Sequence, residues 1–461
     1  MTEPASPSVP DWEWHLCAAR REVRALRFSG ALKALDMCER LRPGHMPALL
    51  LRAGVLFRSG EVEAARLEFE RVLSFEPCNV SAHHGAGLAL HACGDRAGAL
   101  AAFRKAVTLD PGAWRSWQSI ADITPDEPER RGAIAAVAGT LLGICETGRQ
   151  PPHILKETAR ALVSAGRRAD ALRLLQDQSG TFPDKGLVQG LIAGVHYAFG
   201  AFYKAARHQF AALSQTPRLP AAARKPDFEV GGAPDVLRKL FGLFEAGGFH
   251  PFLMAGTLLG FLRSGAPLTH DRDIDIGLVR GDGNGADPVE YIRAHPGLIL
   301  PHSARPGDRY IGLALDGIAT DIFVFDRHPD GFVCGFSSLP GDIQWRHAPF
   351  ELGQRRFGEQ VFRIPDPAAS YLAECYGPGW QVPDRGFASA LSSPALYQTD
   401  PHAIAYLALA RARTSLLTGD ATKAYALLGQ IPLQALKPAL ADELTECFAA
   451  HRAAPADEPE G

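Results

Sequence analysis

Three aspartates alternate along one short stretch of the chain. Asp271, Asp273 and Asp275 occupy every second position of the sequence DRDIDIG. Successive strand residues point to opposite faces, so a β-strand here would place the three carboxylates together and turn Ile274 toward the core. Neighbouring carboxylates repel each other, and a hard divalent cation with oxygen ligands relieves that repulsion. The spacing predicts a Mg²⁺ or Mn²⁺ site, at which Asp271 either binds the metal or only caps the strand.

A glycine-threonine turn precedes these acids. Gly256 and Thr257 follow an apolar run and lead into the amphipathic segment 258–263, which ends at Arg263. The amide groups and the hydroxyl at such a helix start can bind a phosphate, although Thr257 could simply cap the helix. Arg263 is either a surface residue or a clamp for phosphate or carboxylate. A phosphate turn beside metal carboxylates indicates phosphoryl or nucleotidyl transfer.

A fourth carboxylate is expected at the same site. Two apolar runs, 310–315 and 318–325, are joined by Asp316 and Gly317, which predicts a β-hairpin. Asp321 lies inside the second run, where a carboxylate is costly unless the strand opens on a site. We therefore predict Asp321 as a metal ligand or general base, with Asp316 and Asp326 as alternatives.

The same residues carry a family resemblance. Gly-Thr-Leu-Leu-Gly at 256–260, the following arginine, the alternating aspartates and Thr-Asp-Ile-Phe at 320–323 resemble the motifs of the LicD and fukutin-related family. Ile364-Pro365-Asp366 and the aromatic positions up to Pro383 resemble its closing pattern, so that the likeness covers about residues 233–385. The sequence departs from the family at Arg272 and at Thr269-His270.

The resemblance implies both a fold and a reaction. The fold is an α+β nucleotidyltransferase domain with a mixed β-sheet. The reaction is a metal-dependent transfer of phosphocholine or a phospho-polyol from a CDP-linked donor to a glycan or a glycosylated protein. Asp273, Asp275 and Asp321 would be the catalytic residues, with Gly256, Thr257 and Arg263 binding substrate. Tyr376 and Trp380 serve either packing or base stacking.

A 34-residue period marks the first half of the chain. Prolines recur at 43, 77 and 111, alanines at 31, 65 and 99, and large apolar residues at 35, 69 and 103. The period fades over 112–150 and returns with glycines at 166 and 200. It resembles the tetratricopeptide repeat, in which paired helices stack on their neighbours. We expect about five such hairpins and a divergent one, forming a solenoid that recruits a protein partner or only stabilises the enzyme.

The expected organisation is therefore multidomain. A disordered lead over 1–11 precedes helical repeats over 12–220 and a linker over 221–232. The nucleotidyltransferase-fold domain follows over 233–398, a C-terminal helical hairpin over 399–448, and a disordered tail over 449–461.

Composition limits the compartments and partners. The 461-residue chain has a net charge of −3, which gives no electrostatic reason to expect nucleic-acid binding. Its eight cysteines form no CxxC pair, as expected for reduced thiols in a cytosolic protein. The beginning does not resemble a signal peptide, and no apolar run approaches the roughly 20 residues of a membrane helix. We expect a cytoplasmic protein, including a peripheral position at the inner membrane face.

Two other functions remain open. The altered loop and Arg272 are also consistent with an adaptor whose nucleotidyltransferase domain has decayed. An enzyme that transfers a nucleotide to a protein side chain would use the same fold, and fold alone does not separate the two chemistries.

Overall fold

The structure, a computed structural model, describes residues 11–182, 184–216, 233–268, 273–295, 298, 300–301, 303–384 and 386–453. The expected lead up to residue 10, the linker 221–232 and most of the tail lie outside the described residues. So do Asp271, Arg272 and the preceding Thr269-His270.

The chain forms two compact units. The first comprises Met1–Leu141 and Arg293–Gly297, and the second comprises Leu142–Ile292 and Leu298–Gly461. This division differs from the expected one, which separates all the repeats from the nucleotidyltransferase domain near residues 221–232. The reason is packing, because the helix Phe202–Ser214 lies against the C-terminal helix Pro401–Leu417 in the second unit.

Twelve α-helices occupy the described residues up to 216, and most of them pack against the next helix along the chain. They are α1 (Asp11–Arg24), α2 (Phe28–Leu41), α3 (Met46–Arg58), α4 (Val62–Phe75), α5 (Val80–Ala92), α6 (Arg96–Leu109), α7 (Trp114–Ile123), α8 (Glu127–Glu146), α9 (Pro152–Ser164), α10 (Arg168–Asp177), α11 (Lys185–Ala198) and α12 (Phe202–Ser214). The long α8 belongs to the divergent hairpin.

The repeated residues lie where the helices pack against each other. The alanines at 31, 65 and 99 are fully buried, and so are those at 171 and 205. The aromatic rings at the repeated large position need glycine opposite them, because a Cβ on Gly85 would lie 2.2 Å from the ring of Phe69. The glycines between paired helices, at 60, 94, 166 and 200, have positive φ. The tetratricopeptide-like part of the fold prediction is confirmed.

The second unit also contains the mixed β-sheet and its helices. Its remaining elements are α13 (Ala233–Ala246), β1 (Phe252–Leu253), α14 (Ala255–Ser264), β2 (Asp273–Val279), α15 (Pro288–Ala294), β3 (Tyr310–Leu315), β4 (Ile318–His328), β5 (Gly331–Gly335), β6 (Gln344–His347), β7 (Glu351–Phe357), β8 (Gln360–Asp366), α16 (Ala368–Tyr376), α17 (Ser389–Ser392), α18 (Pro401–Leu417), α19 (Ala421–Leu428) and α20 (Pro438–Ala453), although the last two residues of α15 belong to the first unit.

Strand β4 organises the sheet. It pairs in parallel with β2 and antiparallel with β3, and its far end pairs with β5. The hairpin between β3 and β4 turns at Asp316 and Gly317, both with positive φ, as the sequence predicts. Ile274 and Ile276 are buried, so β2 turns its apolar side to the core and its aspartates away from it. The predicted α+β class with a mixed sheet and C-terminal helices is confirmed.

No helix among the described residues is both long enough and apolar enough to span a membrane.

Candidate active site

The parallel pair β2–β4 brings the predicted acids together. Asp275 and Asp321 are direct register partners on the two strands, and Asp273 precedes Asp275 on the same face of β2. All three line one cavity of about 250 Å³, which we call the carboxylate cavity. The strand alternation that predicts a shared face therefore holds for Asp273 and Asp275, whereas Asp271 lies outside the described residues.

Asp275 is tied to the start of α14. Its Oδ2 accepts a hydrogen bond from the Gly256 amide at 2.9 Å, and its own amide donates to Thr257 Oγ1 at 2.8 Å. The Gly256 amide, which the sequence predicts as a phosphate ligand, therefore already donates to the Asp275 carboxylate at the start of the helix. Thr257 is only 2% exposed, so its hydroxyl fixes β2 against α14 from behind the cavity. Gly256 does line the cavity.

Asp321 has a partner on the neighbouring strand. The Tyr310 hydroxyl donates to Asp321 Oδ1 at 2.9 Å. Burial raises the pKa of Asp321, the Tyr310 hydrogen bond lowers it, and the Asp273 carboxylate raises it further. The charge of Asp273 therefore acts directly on Asp321, as expected for acids that share a site.

Glycine at position 312 makes room for this contact. Gly312 is the register partner of Asp321 on β3, and Tyr310 lies two residues earlier on the same face. A Cβ at Gly312 would lie 3.0 Å from the Tyr310 hydroxyl, closer than ordinary packing allows. Strand alternation could therefore have identified Tyr310 as a partner of Asp321, but only if the β3–β4 register had been known.

The two alternative acids lie elsewhere. Asp316 sits at the hairpin turn and pairs with Lys239. Asp326 pairs with Arg280 and Arg309, each at 2.6 Å, and supports the far end of β4. Neither lines the carboxylate cavity, so of the three acids only Asp321 is positioned to act there.

Arg263 holds a loop rather than a free anion site. Its Nε donates to the Trp380 carbonyl at 2.8 Å, and Nη2 donates to that carbonyl and to the Val382 carbonyl. Its partners in the structure are backbone oxygens of the segment after α16, and the clamp for phosphate or carboxylate stays a prediction. These contacts form one wall of a second cavity of about 820 Å³, which we call the arginine cavity.

The arginine cavity adjoins the carboxylate cavity. Gly256, Tyr376, Ser389 and Arg411 line both of them. Trp380 and Phe387 add aromatic surface to the arginine cavity alone, whose ionisable residues are Arg263, Arg411, Lys423 and Asp384. Basic residues therefore outnumber acidic ones in the arginine cavity, whereas aspartates predominate in the carboxylate cavity.

The carboxylates of this cavity are suitable ligands for a hard cation that also binds a substrate phosphate. Carboxylate oxygens are the ligands that Mg²⁺ prefers, and one or two of them suffice when substrate phosphates complete its coordination. Among the described residues, however, no group of three or more His, Cys, Asp or Glu side chains is close enough to hold a metal ion. Asp273 and Asp321 are thus candidate ligands for a cation shared with a phosphate, while Asp275 is partly engaged in capping.

One known family matches a segment of this domain. Residues 248–299 match the family described as LicD/FKTN/FKRP, nucleotidyltransferase domain. This part of the chain is therefore similar to a LicD-type nucleotidyltransferase domain. The matched segment contains the Gly256–Thr257 turn, α14 and β2, whereas Asp321 and the arginine cavity's C-terminal wall lie beyond it. A comparison with curated proteins finds no match.

Solved structures resemble the helical part only distantly. A tetratricopeptide repeat protein from Parabacteroides merdae has 12% identity and a TM-score of 0.31, covering 46% of this chain and 81% of its own. The MamA protein of Desulfovibrio magneticus has 14% identity and a TM-score of 0.24, over 45% of this chain and 96% of its own. A thermophilic TPR protein of Thermus thermophilus has 14% identity and a TM-score of 0.25, over 45% of this chain and 92% of its own.

Sequence reasoning misses Arg411 altogether. The residue lies in α18, beyond the segment that matches the LicD-type domain, yet it lines both cavities. Nothing in its neighbourhood marks it, because the segment LALARARTSLL is typical of an ordinary helix with two arginines. Only the packing of the C-terminal helices against the domain brings it to the site.

Proposed function

We propose that the protein is a LicD-type phosphotransferase, which moves a phosphocholine or phospho-polyol group from a CDP-linked donor to a hydroxyl of a glycan or glycosylated protein. One observation carries the proposal: Asp273, Asp275 and Asp321 line a cavity that opens beside a basic, aromatic one. Two adjoining cavities of opposite charge suit a reaction in which a cation and a nucleotide diphosphate must meet. A cytoplasmic location, including the inner membrane face, is part of the proposal.

The proposed reaction needs an attacking hydroxyl, a leaving group and a proton acceptor. The acceptor oxygen attacks the phosphorus that bears the transferred group, the bond to the bridging oxygen of the diphosphate breaks, and CMP leaves. The hydroxyl proton passes to a carboxylate, for which Asp321 is the candidate, because burial and Asp273 raise its pKa and so its basicity. Tyr310 orients that carboxylate through its hydrogen bond.

Asp273 would hold a divalent cation together with the donor phosphates, Asp321 would be a further ligand if it is not the base, and Asp271 remains another proposed ligand. Such a cation, Mg²⁺ or Mn²⁺, supplies charge neutralisation on the diphosphate. Asp275 would keep its capping contact with Gly256 and fix the position of β2. Arg263 would hold the wall against which the nucleotide lies.

We also propose that the helical hairpins recruit the acceptor or a protein partner, because stacked hairpins of this kind expose surfaces that bind peptides and proteins. The proposal is tested with a truncated protein that begins near residue 125, which keeps α8 whole. Transfer to a small soluble acceptor should persist, whereas transfer to the native acceptor should slow. Equal rates on the native acceptor would contradict recruitment by the removed helices α1 to α7.

A donor panel tests the reaction. Purified protein is incubated with Mg²⁺ or Mn²⁺ and with CDP-choline, CDP-ribitol, CDP-glycerol or nucleoside triphosphates, and the leaving group is measured. Release of CMP with label on the acceptor supports the proposed transfer. Release of pyrophosphate with nucleotide on a protein would instead identify a nucleotidyltransferase.

One observation favours a second function. Arg272 and Thr269-His270 depart from the motifs of the LicD and fukutin-related family, as is consistent with an adaptor that has lost its catalysis. An adaptor would bind its partner with or without a divalent cation and would consume no donor in the full panel with the native acceptor present.

A further inference from the structure

Arg411 is a charged residue at the junction of the two cavities. It projects from α18 and lines the carboxylate cavity together with the three aspartates. On the other side it lines the arginine cavity with Trp380 and Lys423. A group that spans both cavities would therefore pass this guanidinium.

The guanidinium has no anionic partner among the described residues. Arg413, two positions further along the same helix, pairs with Asp184 at 2.6 Å and donates to Thr216 at 2.9 Å. No comparable ion pair or hydrogen bond involves the side chain of Arg411 in the part of the chain that the structure describes. Burial lowers the pKa of Arg411, but arginine stays charged at neutral pH.

The helix that carries Arg411 is held firmly. Tyr406, one turn earlier, stacks on Tyr197 with ring centroids 4.4 Å apart. At the helix start, the Asp400 side chain accepts from the His402 amide at 2.8 Å. An unpaired cation on a fixed helix is preorganised, so that little entropy is lost when an anion binds to it.

We propose that Arg411 binds the diphosphate of the nucleotide donor, bridging the basic and the acidic cavity. The planar guanidinium forms paired hydrogen bonds with phosphate oxygens, and Arg411 is exposed, so that an anion in the cavities can reach it. This inference rests on the proposed function, but it assigns the phosphate contact to a C-terminal helix outside the segment that matches the LicD-type domain. The Gly256 amide, which already donates to Asp275, is then not required for it.

Calorimetric binding to the full-length protein tests the assignment in the presence of Mg²⁺. The probes are cytidine, CMP, CDP and inorganic pyrophosphate, and the proteins are wild type, Arg411→Gln, Arg411→Lys and the control Arg160→Gln. Arg160 lies on α9 with 73% of its side chain exposed and pairs with Glu157. Thermal melting confirms that each variant is folded.

The expected effect grows with the number of phosphates. Arg411→Gln should weaken CDP and pyrophosphate binding about ten- to hundredfold, the size of a charge-assisted hydrogen bond, and leave cytidine binding unchanged. Arg411→Lys should recover part of the loss, since it keeps the charge without the planar fork. Arg160→Gln should match wild type.

The outcomes separate this inference from the proposed function. Equal CDP and pyrophosphate affinities in wild type and Arg411→Gln would overturn the role of Arg411 and leave the transferase proposal standing. Binding of pyrophosphate but of no cytidine nucleotide, lost in Arg411→Gln, would support the role of Arg411 and contradict a CDP-linked donor. A wild-type protein that binds none of the four probes would overturn both.

Discussion

Tyr310 and Asp321 lie on adjacent antiparallel strands, and the tyrosine hydroxyl donates to the carboxylate at 2.9 Å. This hydrogen bond favours the ionised carboxylate, whereas burial and Asp273 disfavour it. The net effect raises the pKa of Asp321 above its ordinary value, and perturbed pKa values of this kind are common at functional sites.

Replacing Tyr310 with phenylalanine should change the pKa of Asp321. Loss of the hydrogen bond removes an interaction that lowers the pKa of Asp321, so the pKa should rise, and the acidic limb of the pH–rate profile should shift to higher pH. Tyr291→Phe is the matched control, because the Tyr291 hydroxyl donates only to the Leu243 carbonyl in the described structure. An unchanged acidic limb in Tyr310→Phe would show that Asp321 does not govern the rate.

Asp321→Asn should reduce activity without reducing stability. Removing the carboxylate should reduce turnover at least about a hundredfold, the lower end for a general base. Without metal at neutral pH, Asp321→Asn should melt at the same temperature as wild type or at a higher one. The control is Asp316→Asn at the hairpin turn, where the acid lies outside the cavity, and equal turnover in Asp321→Asn and wild type would remove Asp321 from the site.

The sign of the stability effect follows from proton linkage. The folded-state pKa of Asp321 is raised above its unfolded value of about 3.9. The folded state therefore binds more protons, and stability falls as pH rises from the unfolded pKa through the folded one. The advantage of Asp321→Asn should be present at neutral pH and should disappear when the pH falls below about 3.9.

Metal binding should depend on Asp273 more than on Asp275. Asp275 already accepts from the Gly256 amide, so Asp275→Asn should alter the start of α14 as well as the cavity. We expect Asp273→Asn to weaken Mn²⁺ binding, measured by calorimetry with CDP present, without lowering the melting temperature. Asp316→Asn again serves as the control, and unchanged Mn²⁺ affinity in Asp273→Asn would contradict a metal role for that residue.

Arg263→Ala should loosen the segment around Trp380. Three hydrogen bonds from Arg263 to the carbonyls of Trp380 and Val382 would be lost. Amide hydrogen exchange should therefore accelerate in the loop around residues 378–384, with a higher KM for the donor. If the donor affinity fell while exchange in this loop stayed unchanged, Arg263 would be a direct phosphate ligand, as the sequence alone suggests.

The contrast between predicted and observed sites has a physical basis. Strand alternation is local, so the shared face of Asp273 and Asp275 could be predicted from their spacing. Choosing Asp321 over Asp326 required the β2–β4 register and the ion pairs of Asp326 with Arg280 and Arg309. Such choices depend on non-local pairing, which a single sequence does not reveal.

A single sequence likewise does not reveal the hydrogen bonds at the start of α14 or the packing of the C-terminal helices beside the arginine cavity. The sequence predicts that α14 begins near Gly256, but not that its donors are already used by Asp275. It also predicts two C-terminal helices, and the structure has them as α18 and α19. Their packing on the domain, which brings Arg411 to the cavities, follows from contacts between residues more than a hundred positions apart.

Thr257→Val tests whether this threonine supports the site or contacts the substrate. Valine keeps the size of the side chain but removes the oxygen that accepts from the Asp275 amide at 2.8 Å. Leaving that donor without its partner should lower the free energy of unfolding by about 1–3 kcal/mol, as followed by urea denaturation. Thr257→Ser retains the hydroxyl and should stay close to wild type. Because β2 also carries Asp273, the valine variant should bind Mn²⁺ more weakly. A direct phosphate contact predicts the opposite pattern, in which CDP affinity falls while stability and Mn²⁺ binding remain those of wild type.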